Sequence, residues 1–183
     1  MENAVQSQNK TRDLAYIGLF VALMAICSWI SIPTTVPFTL QTFAVFVAVG
    51  LLGGKRGTIA VIVYLILGAV GLPVFAGFQG GFGAILGTTG GYLIGFIFTA
   101  LVMWGMTKAF GDGTFVLALS MILGLAVCYV FGTIWFMQVY TDASGAVALA
   151  TVLGWCVVPF IIPDLIKIAV AVLVSKRLKK YVK

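Results

Sequence analysis

Two oppositely charged residues, Asp164 and Lys167, stand inside a long apolar stretch near the C-terminal end of the sequence. Ionisable residues are expensive inside a lipid bilayer, and they usually face a cavity or each other. If the stretch is helical, residues three apart lie on one face, so the two side chains are neighbours. Two hypotheses follow. The pair is an internal salt bridge that neutralises itself, or it takes part in binding a ligand.

The composition is that of an integral membrane protein. Of the 183 residues, 62% are hydrophobic and only 9% are charged, whereas an ordinary globular domain is about 25% charged. The absence of histidine removes the commonest general base and metal ligand. Cys27, Cys128 and Cys156 are scattered through apolar segments and favour neither a metal site nor a disulfide framework. The basic residues behind the net charge of +6 border apolar segments, a pattern that indicates membrane topology and not nucleic-acid binding.

Proline, glycine and charged residues divide residues 1–183 into one all-α domain with six predicted membrane spans. The predicted spans are residues 14–32, 39–53, 58–70, 91–107, 114–140 and 159–175. The polar residues 1–12 are predicted to be irregular. Residues 146–158 are too short to cross a hydrocarbon core of about 30 Å, so they are predicted to form a re-entrant or surface piece.

Basic residues fall on one side of these six spans. They are Lys10, Arg12, Lys55, Arg56, Lys108 and the C-terminal cluster from Lys176, whereas the opposite loops contain neither lysine nor arginine. Because positive residues mark the cytoplasmic side, both termini are predicted to be cytoplasmic. Asp164 precedes the C-terminal cluster by roughly 18 Å of helix, which places it in the outer half of the membrane.

Residues 71–91, which we call the glycine-rich segment, contain eight glycines and no charged residue. Phe75, Phe78 and Phe82 are interleaved with the glycines. A long connection of this kind is usually functional or disordered, and apolar aromatic residues argue against disorder. The pattern predicts a folded outer loop that covers a ligand pocket. Close packing of membrane helices through glycine is the alternative.

Small residues form a stripe along the first predicted span. Ala15, Gly18, Ala22 and Ala25 are spaced three, four and three apart, so they share one helix face. Such stripes let two membrane helices approach closely. The partner is either another protein or another helix of this chain.

No catalytic or nucleotide-binding motif is apparent. The turn at residues 53–58 resembles a phosphate-binding loop only superficially, because it lacks the required spacing. Asp164 is the only acidic residue within the spans, so hydrolytic chemistry in the membrane is poorly supported. We therefore expect a chain that is not an enzyme and does not itself hydrolyse ATP.

Several motifs together resemble the BioY family, the biotin-binding S components of energy-coupling-factor (ECF) transporters. The resemblance covers essentially the whole chain. It is carried by the residues Gly-Leu-Pro-Val-Phe-Ala-Gly at 71–77, by Gly80-Gly81, by residues 87–96, by Pro159-Phe160 and by residues 164–167.

The resemblance implies a six-helix fold in the bacterial plasma membrane that captures biotin from outside. It implies assembly with a transmembrane coupling subunit and two cytoplasmic ATPases, with Gly18 and Ala22 matching the motif that contacts the coupling subunit. Asp164 is expected to accept hydrogen bonds from the ureido group, and Lys167 to donate to the ureido oxygen or the carboxylate. The expected ligand-binding residues are Asp164, Lys167, Gln79, Gln41, Tyr92, Phe75, Phe78 and Gly91, with no cofactor and no metal.

Two functions from different classes remain open. The first is a high-affinity binding subunit for biotin. The second is a self-sufficient secondary transporter or channel that uses Asp164 and Lys167 as a proton or ion relay. Stoichiometric binding without turnover favours the first, and flux in vesicles that contain only this protein favours the second.

Overall fold

The computed structural model describes residues 2–145 and 147–182, and it is mostly helical. The elements are α1 (Glu2–Trp29), β1 (Ser31–Ile32), β2 (Phe38–Thr39), α2 (Gln41–Leu52), α3 (Gly54–Ala69), α4 (Phe82–Leu86), α5 (Gly90–Phe110), α6 (Thr114–Ser144), α7 (Leu149–Cys156) and α8 (Val158–Leu178). Two short 3₁₀ turns lie at Ala76–Phe78 and Lys179–Tyr181.

Four helical stretches of the described chain are long and apolar enough to cross a membrane. They are Lys10–Trp29, Gly90–Phe110, Thr114–Thr141 and Leu149–Tyr181. The helices α2 and α3 have 12 and 16 residues, which is shorter than the roughly 20 that a single perpendicular crossing needs. The protein is therefore a helical membrane protein with four clear apolar spans.

Several helix boundaries differ by a few residues from the predicted spans; α3, for example, begins at Gly54 and not at residue 58. The prediction of an irregular N-terminus is wrong, because α1 begins at Glu2 and the first apolar span is the continuation of a polar helix. Residues 149–156 form the separate helix α7. The last long helix begins at Val158, with Pro159 in its first turn, where a missing N–H leaves no helical bond unmade.

The helix α2 occupies the centre of the fold. Every residue from Ala44 to Leu52 is buried, and α2 packs against α1, α3, α5 and α8. Gly53 joins α2 directly to α3. Its φ of +79° is a backbone conformation that residues with a side chain disfavour. The N-terminal end of α2 follows the β1–β2 hairpin, in which Ser31 pairs with Thr39. This arrangement brings polar residues at the start of α2 beside α8.

The helices α5 and α6 form the most extensive helix pair in the described chain. Their close approach depends on glycine. A Cβ atom at Gly91 would overlap the side chain of Trp135, and one at Gly95 would press on Cys128. Gly91 therefore has a packing role, as one of the two hypotheses for the glycine-rich segment required.

Candidate ligand-binding cavity

A cavity lies where the β1–β2 hairpin, the start of α2, the glycine-rich segment and the helices α5 to α8 meet. The space between its lining atoms is about 760 Å³, including the part that opens to solvent. Its wall is mostly apolar, with a few polar side chains that converge on the interior. Sites for small molecules have this mixture of an apolar wall and a few polar groups.

Asp164, from the second turn of α8, is the most buried charged group in this wall, with 2% of its surface exposed. Its Oδ1 atom accepts hydrogen bonds from Lys167 Nζ at 2.7 Å and from Thr42 Oγ1 at 3.0 Å. Its Oδ2 atom accepts a hydrogen bond from Tyr129 at 2.5 Å. The carboxylate therefore connects α8 to α2 and α6.

Lys167 is paired as completely as Asp164. Its ammonium group donates to Asp164, to the backbone oxygen of Thr39 at 2.7 Å and to Thr42 Oγ1 at 3.2 Å. It also lies 4.4 Å from the centre of the Phe38 ring. An ammonium group has three N–H donors, and all three have protein acceptors here.

Sequence reasoning missed Thr42 and Tyr129 as partners of Asp164. Both are uncharged and lie 122 and 35 residues away in the chain. An acidic residue in a membrane segment predicts that donors exist, but it does not say which helices supply them. Only the packing of α2 and α6 against α8 identifies these two side chains.

A second polar group of the wall, Gln41, belongs to a buried chain of hydrogen bonds. Its Nε2 atom donates to the hydroxyl of Tyr64 at 2.6 Å, and that hydroxyl donates to the backbone oxygen of Val74 at 2.7 Å. Ser28 Oγ reaches the same oxygen at 2.6 Å. This chain connects the start of α2 with α3, the glycine-rich segment and α1.

The glycine-rich segment is held against the helices by contacts at both of its ends. Trp29 Nε1 donates to the oxygen of Pro73 at 2.8 Å, and Trp135 Nε1 donates to the oxygen of Gly87 at 3.0 Å. Between these anchors, the buried ring of Phe75 packs edge-on against Tyr64 and closely over Gly68. The segment is thus folded against α1, α3 and α6.

Six of the eight residues expected to bind a ligand line the cavity, namely Asp164, Lys167, Gln41, Gln79, Tyr92 and Phe75. The other two do not. Phe78 is 63% exposed and stacks on Trp29, with ring centres 5.0 Å apart. Gly91 faces Trp135 at the α5–α6 interface. Phe78 thus lies at the surface, and Gly91 lies in the interface between α5 and α6. The sequence around these residues did not distinguish either location from a ligand site.

The small-residue stripe on α1 is mostly unpartnered within the described chain. Ala15, Gly18 and Ala22 are exposed, and a Cβ atom added at Gly18 would meet no atom within 4 Å. Ala25 differs, because it is buried in the core with 5% of its surface exposed. The exposed part of the stripe therefore ends at Ala22, about one turn before the buried Ala25.

The sequence matches the model of the BioY family over residues 1–183. The chain is 44% identical over 170 residues to the biotin transporter BioY of Thermotoga maritima, an alignment that covers 92% of this chain and 96% of that one. It is 40% identical over 171 residues to a probable biotin transporter BioY of Pyrococcus horikoshii, covering 93% and 98%.

Among solved structures, the fold is similar to a crystal structure of the S-component for biotin from an ECF-type ABC transporter. The TM-score is 0.84 at 32% sequence identity, and the match covers 94% of this chain and 93% of the other. The likeness thus extends through sequence and fold over almost the whole length of the molecule. This chain is a member of the BioY family.

Proposed function

We propose that this chain is the biotin-binding S component of an ECF-type transporter and that it holds biotin in the cavity beside Asp164. The observation that carries the proposal is a buried carboxylate, held by three protein donors, in the wall of a mostly apolar cavity. Biotin combines an apolar bicycle with a ureido group that has two N–H donors and one acceptor. An apolar wall with a few placed acceptors is complementary to that chemistry.

Asp164 is the residue that we assign to a ureido N–H group. A carboxylate offers about four acceptor positions, and three of them are used by Lys167, Thr42 and Tyr129. One position is left for a ligand. Because the donors already hold the side chain in place, a ureido N–H would meet an acceptor that needs no reorganisation, which favours binding.

Lys167 has a different role in this proposal. All three of its donors have protein acceptors, so it reaches a ligand only by giving up one of these bonds. We assign it chiefly to holding the Asp164 side chain in its orientation. Gln79 remains exposed at the cavity and is our candidate for a contact at the other end of biotin.

The finer architecture is part of the proposal. Six helices, α1, α2, α3, α5, α6 and α8, are embedded in the plasma membrane, and the glycine-rich segment covers the cavity from outside. Phe75, Ala76 and Gln79 support this because they line the cavity from that segment. Both termini are cytoplasmic, since the basic residues border the spans on that side.

The chain works with other subunits in this proposal. A coupling subunit docks on the exposed residues Ala15, Gly18 and Ala22 of α1, where small side chains permit close helix approach. Two cytoplasmic ATPases supply the energy, since S components are substrate-binding subunits and this sequence has no phosphate-binding loop of its own.

Titration calorimetry on the purified chain tests the assignment. We expect one biotin per chain to bind tightly, and lipoic acid, which carries a similar acid tail but no ureido group, to bind far more weakly. Equal affinity for the two acids would contradict recognition of the ureido group. Ion-dependent flux in vesicles that contain this protein alone would favour a self-sufficient transporter.

A further inference from the structure

The orientation of the Gln41 amide is determined by its neighbours. The contact between the Tyr64 hydroxyl and the Val74 oxygen is 2.7 Å long, and a carbonyl oxygen can only accept. The Tyr64 hydroxyl therefore donates its single proton to the Val74 oxygen. The 2.6 Å contact between Tyr64 and Gln41 then needs a proton from Gln41, so the amide nitrogen must face Tyr64.

The opposite amide orientation leaves a close pair of oxygen atoms without a proton. If Gln41 turned its oxygen to Tyr64, the tyrosine proton would be drawn to it and the contact with Val74 would lose its donor. Ser28 also donates to Val74 at 2.6 Å, but its proton lies on the line between those two atoms and not between Tyr64 and Val74. The oxygens of Tyr64 and Val74, 2.7 Å apart, would then face each other without a proton, which disfavours this amide orientation.

The other end of the amide is open to the cavity. Gln41 lines the cavity, and its Oε1 atom has no hydrogen-bond partner among the described residues. The buried side-chain atoms without partners in that part of the chain are Asp13 Oδ1 and Ser175 Oγ. Because Nε2 is turned to Tyr64 and the side chain lines the cavity, Oε1 is left as the acceptor for a ligand.

We propose that Tyr64, which does not line the cavity, is a positioning residue that fixes the Gln41 carbonyl oxygen toward the ligand. Gln41 then accepts a hydrogen bond from an N–H group of the ureido ring. The inference rests on the proposed function, because it assigns a recognised group to the same cavity. It makes Gln41 an acceptor alongside Asp164, which matches the two N–H donors of a ureido ring. Without Tyr64, the amide could turn and accept or donate equally well.

The test uses carbamate analogues of biotin in which one ureido N–H is replaced by a ring oxygen. The replacement keeps the shape of the ring and exchanges a donor for an acceptor. We measure the ratio of the affinity for biotin to the affinity for each analogue by calorimetry. A site built around a hydrogen bond rejects an analogue that lacks the group strongly, so the wild-type ratio is expected to exceed about a hundredfold.

Tyr64→Phe is expected to lower this ratio by about tenfold for one of the two analogues, in line with the worth of a single hydrogen bond. Tyr140→Phe removes a tyrosine hydroxyl outside the cavity and serves as the matched control with an unchanged ratio. Gln41→Ala, which leaves the bond between Tyr64 and Val74 in place, is expected to lower the ratio for the same analogue. In the Gln41→Ala background, Tyr64→Phe should then have no further effect on it.

Two results would overturn the inference. If wild-type protein binds biotin but Tyr64→Phe or Gln41→Ala leaves both ratios unchanged, Tyr64 does not orient Gln41 as an acceptor for the ureido group. The proposed function stands in that case. If wild-type protein does not bind biotin, the proposed function fails and the inference falls with it. Should Tyr64→Phe not fold, Gln41→Ala still tests whether Gln41 accepts a hydrogen bond from the ureido group, and an unchanged ratio there overturns the inference.

Discussion

Replacing Asp164 with asparagine separates the structural role of the buried ion pair from its role in binding. Asp164→Asn keeps the size of the side chain but leaves Lys167, which is 7% exposed, without a counter-ion. Breaking a buried pair by removing one partner costs about 3–5 kcal/mol. We therefore expect a clear fall in Tm. Adding Lys167→Met removes the uncompensated charge, so the double variant should regain most of the lost stability.

Biotin affinity should not follow stability in this series. A hydrogen bond to a charged acceptor is worth about 1.5–3 kcal/mol, and each 1.4 kcal/mol is about tenfold in affinity. If Asp164 accepts from a ureido N–H, both the single and the double variant should bind biotin roughly 10- to 150-fold more weakly than wild type. The double variant is the informative one, because it is expected to keep most of the wild-type stability and still lacks the carboxylate.

The assays are thermal denaturation in detergent and calorimetric titration with biotin. Asp112→Asn is the matched control, because Asp112 forms an ion pair with Lys179 in which its side chain is 70% exposed. Exposed pairs contribute about 0–1 kcal/mol, so this variant should change neither Tm nor affinity appreciably. Wild-type affinity in either Asp164 variant would refute the reasoning and leave the pair as a purely structural salt bridge.

Three further outcomes are expected. Gly18→Leu combined with Ala22→Leu should spare biotin affinity and abolish co-purification with the coupling subunit, because bulk on an exposed stripe prevents close helix approach; lost affinity, or an intact complex, contradicts the docking face. Hydrogen exchange in the glycine-rich segment should slow when biotin binds, and equal exchange in both states means that the segment only packs. Gly91→Ala should lower Tm through a clash with Trp135, costing about 1–3 kcal/mol, whereas Gly105→Ala, which meets no atom within 4 Å, should raise Tm slightly.

The main features of the fold and the acidic centre of the site were predictable from the sequence, for physical reasons. A long, uncharged apolar segment is stable in a membrane mainly as a helix, because its backbone groups must be hydrogen-bonded internally. A charged residue within such a helix needs a polar or oppositely charged group nearby. The Asp164–Lys167 contact follows from helix geometry alone, since the two residues are three apart.

What the sequence did not reveal depends on contacts between distant helices. Tyr64 looks like an ordinary aromatic residue in α3, and its role appears only when Gln41 and Val74 are brought to its hydroxyl. Phe78 was expected in the cavity, yet its ring turns outward onto Trp29. An aromatic residue in a glycine-rich segment can face either way, and the backbone turns that decide this leave no periodic pattern.

The pairing of Asp164 with Lys167 also affects the electrical work that the membrane potential does on the binding site. These are the only two buried charged residues of the described chain, and their charges sum to zero. An electric field therefore does no net work on the empty site, whichever way it faces. Biotin enters as an anion through its carboxylate, and carrying one such charge inward against an inside-negative potential requires about 2.3 kcal/mol per 100 mV. Because this pair contributes no net charge to offset that of biotin, the work would fall to the ATPase subunits of the proposed transporter.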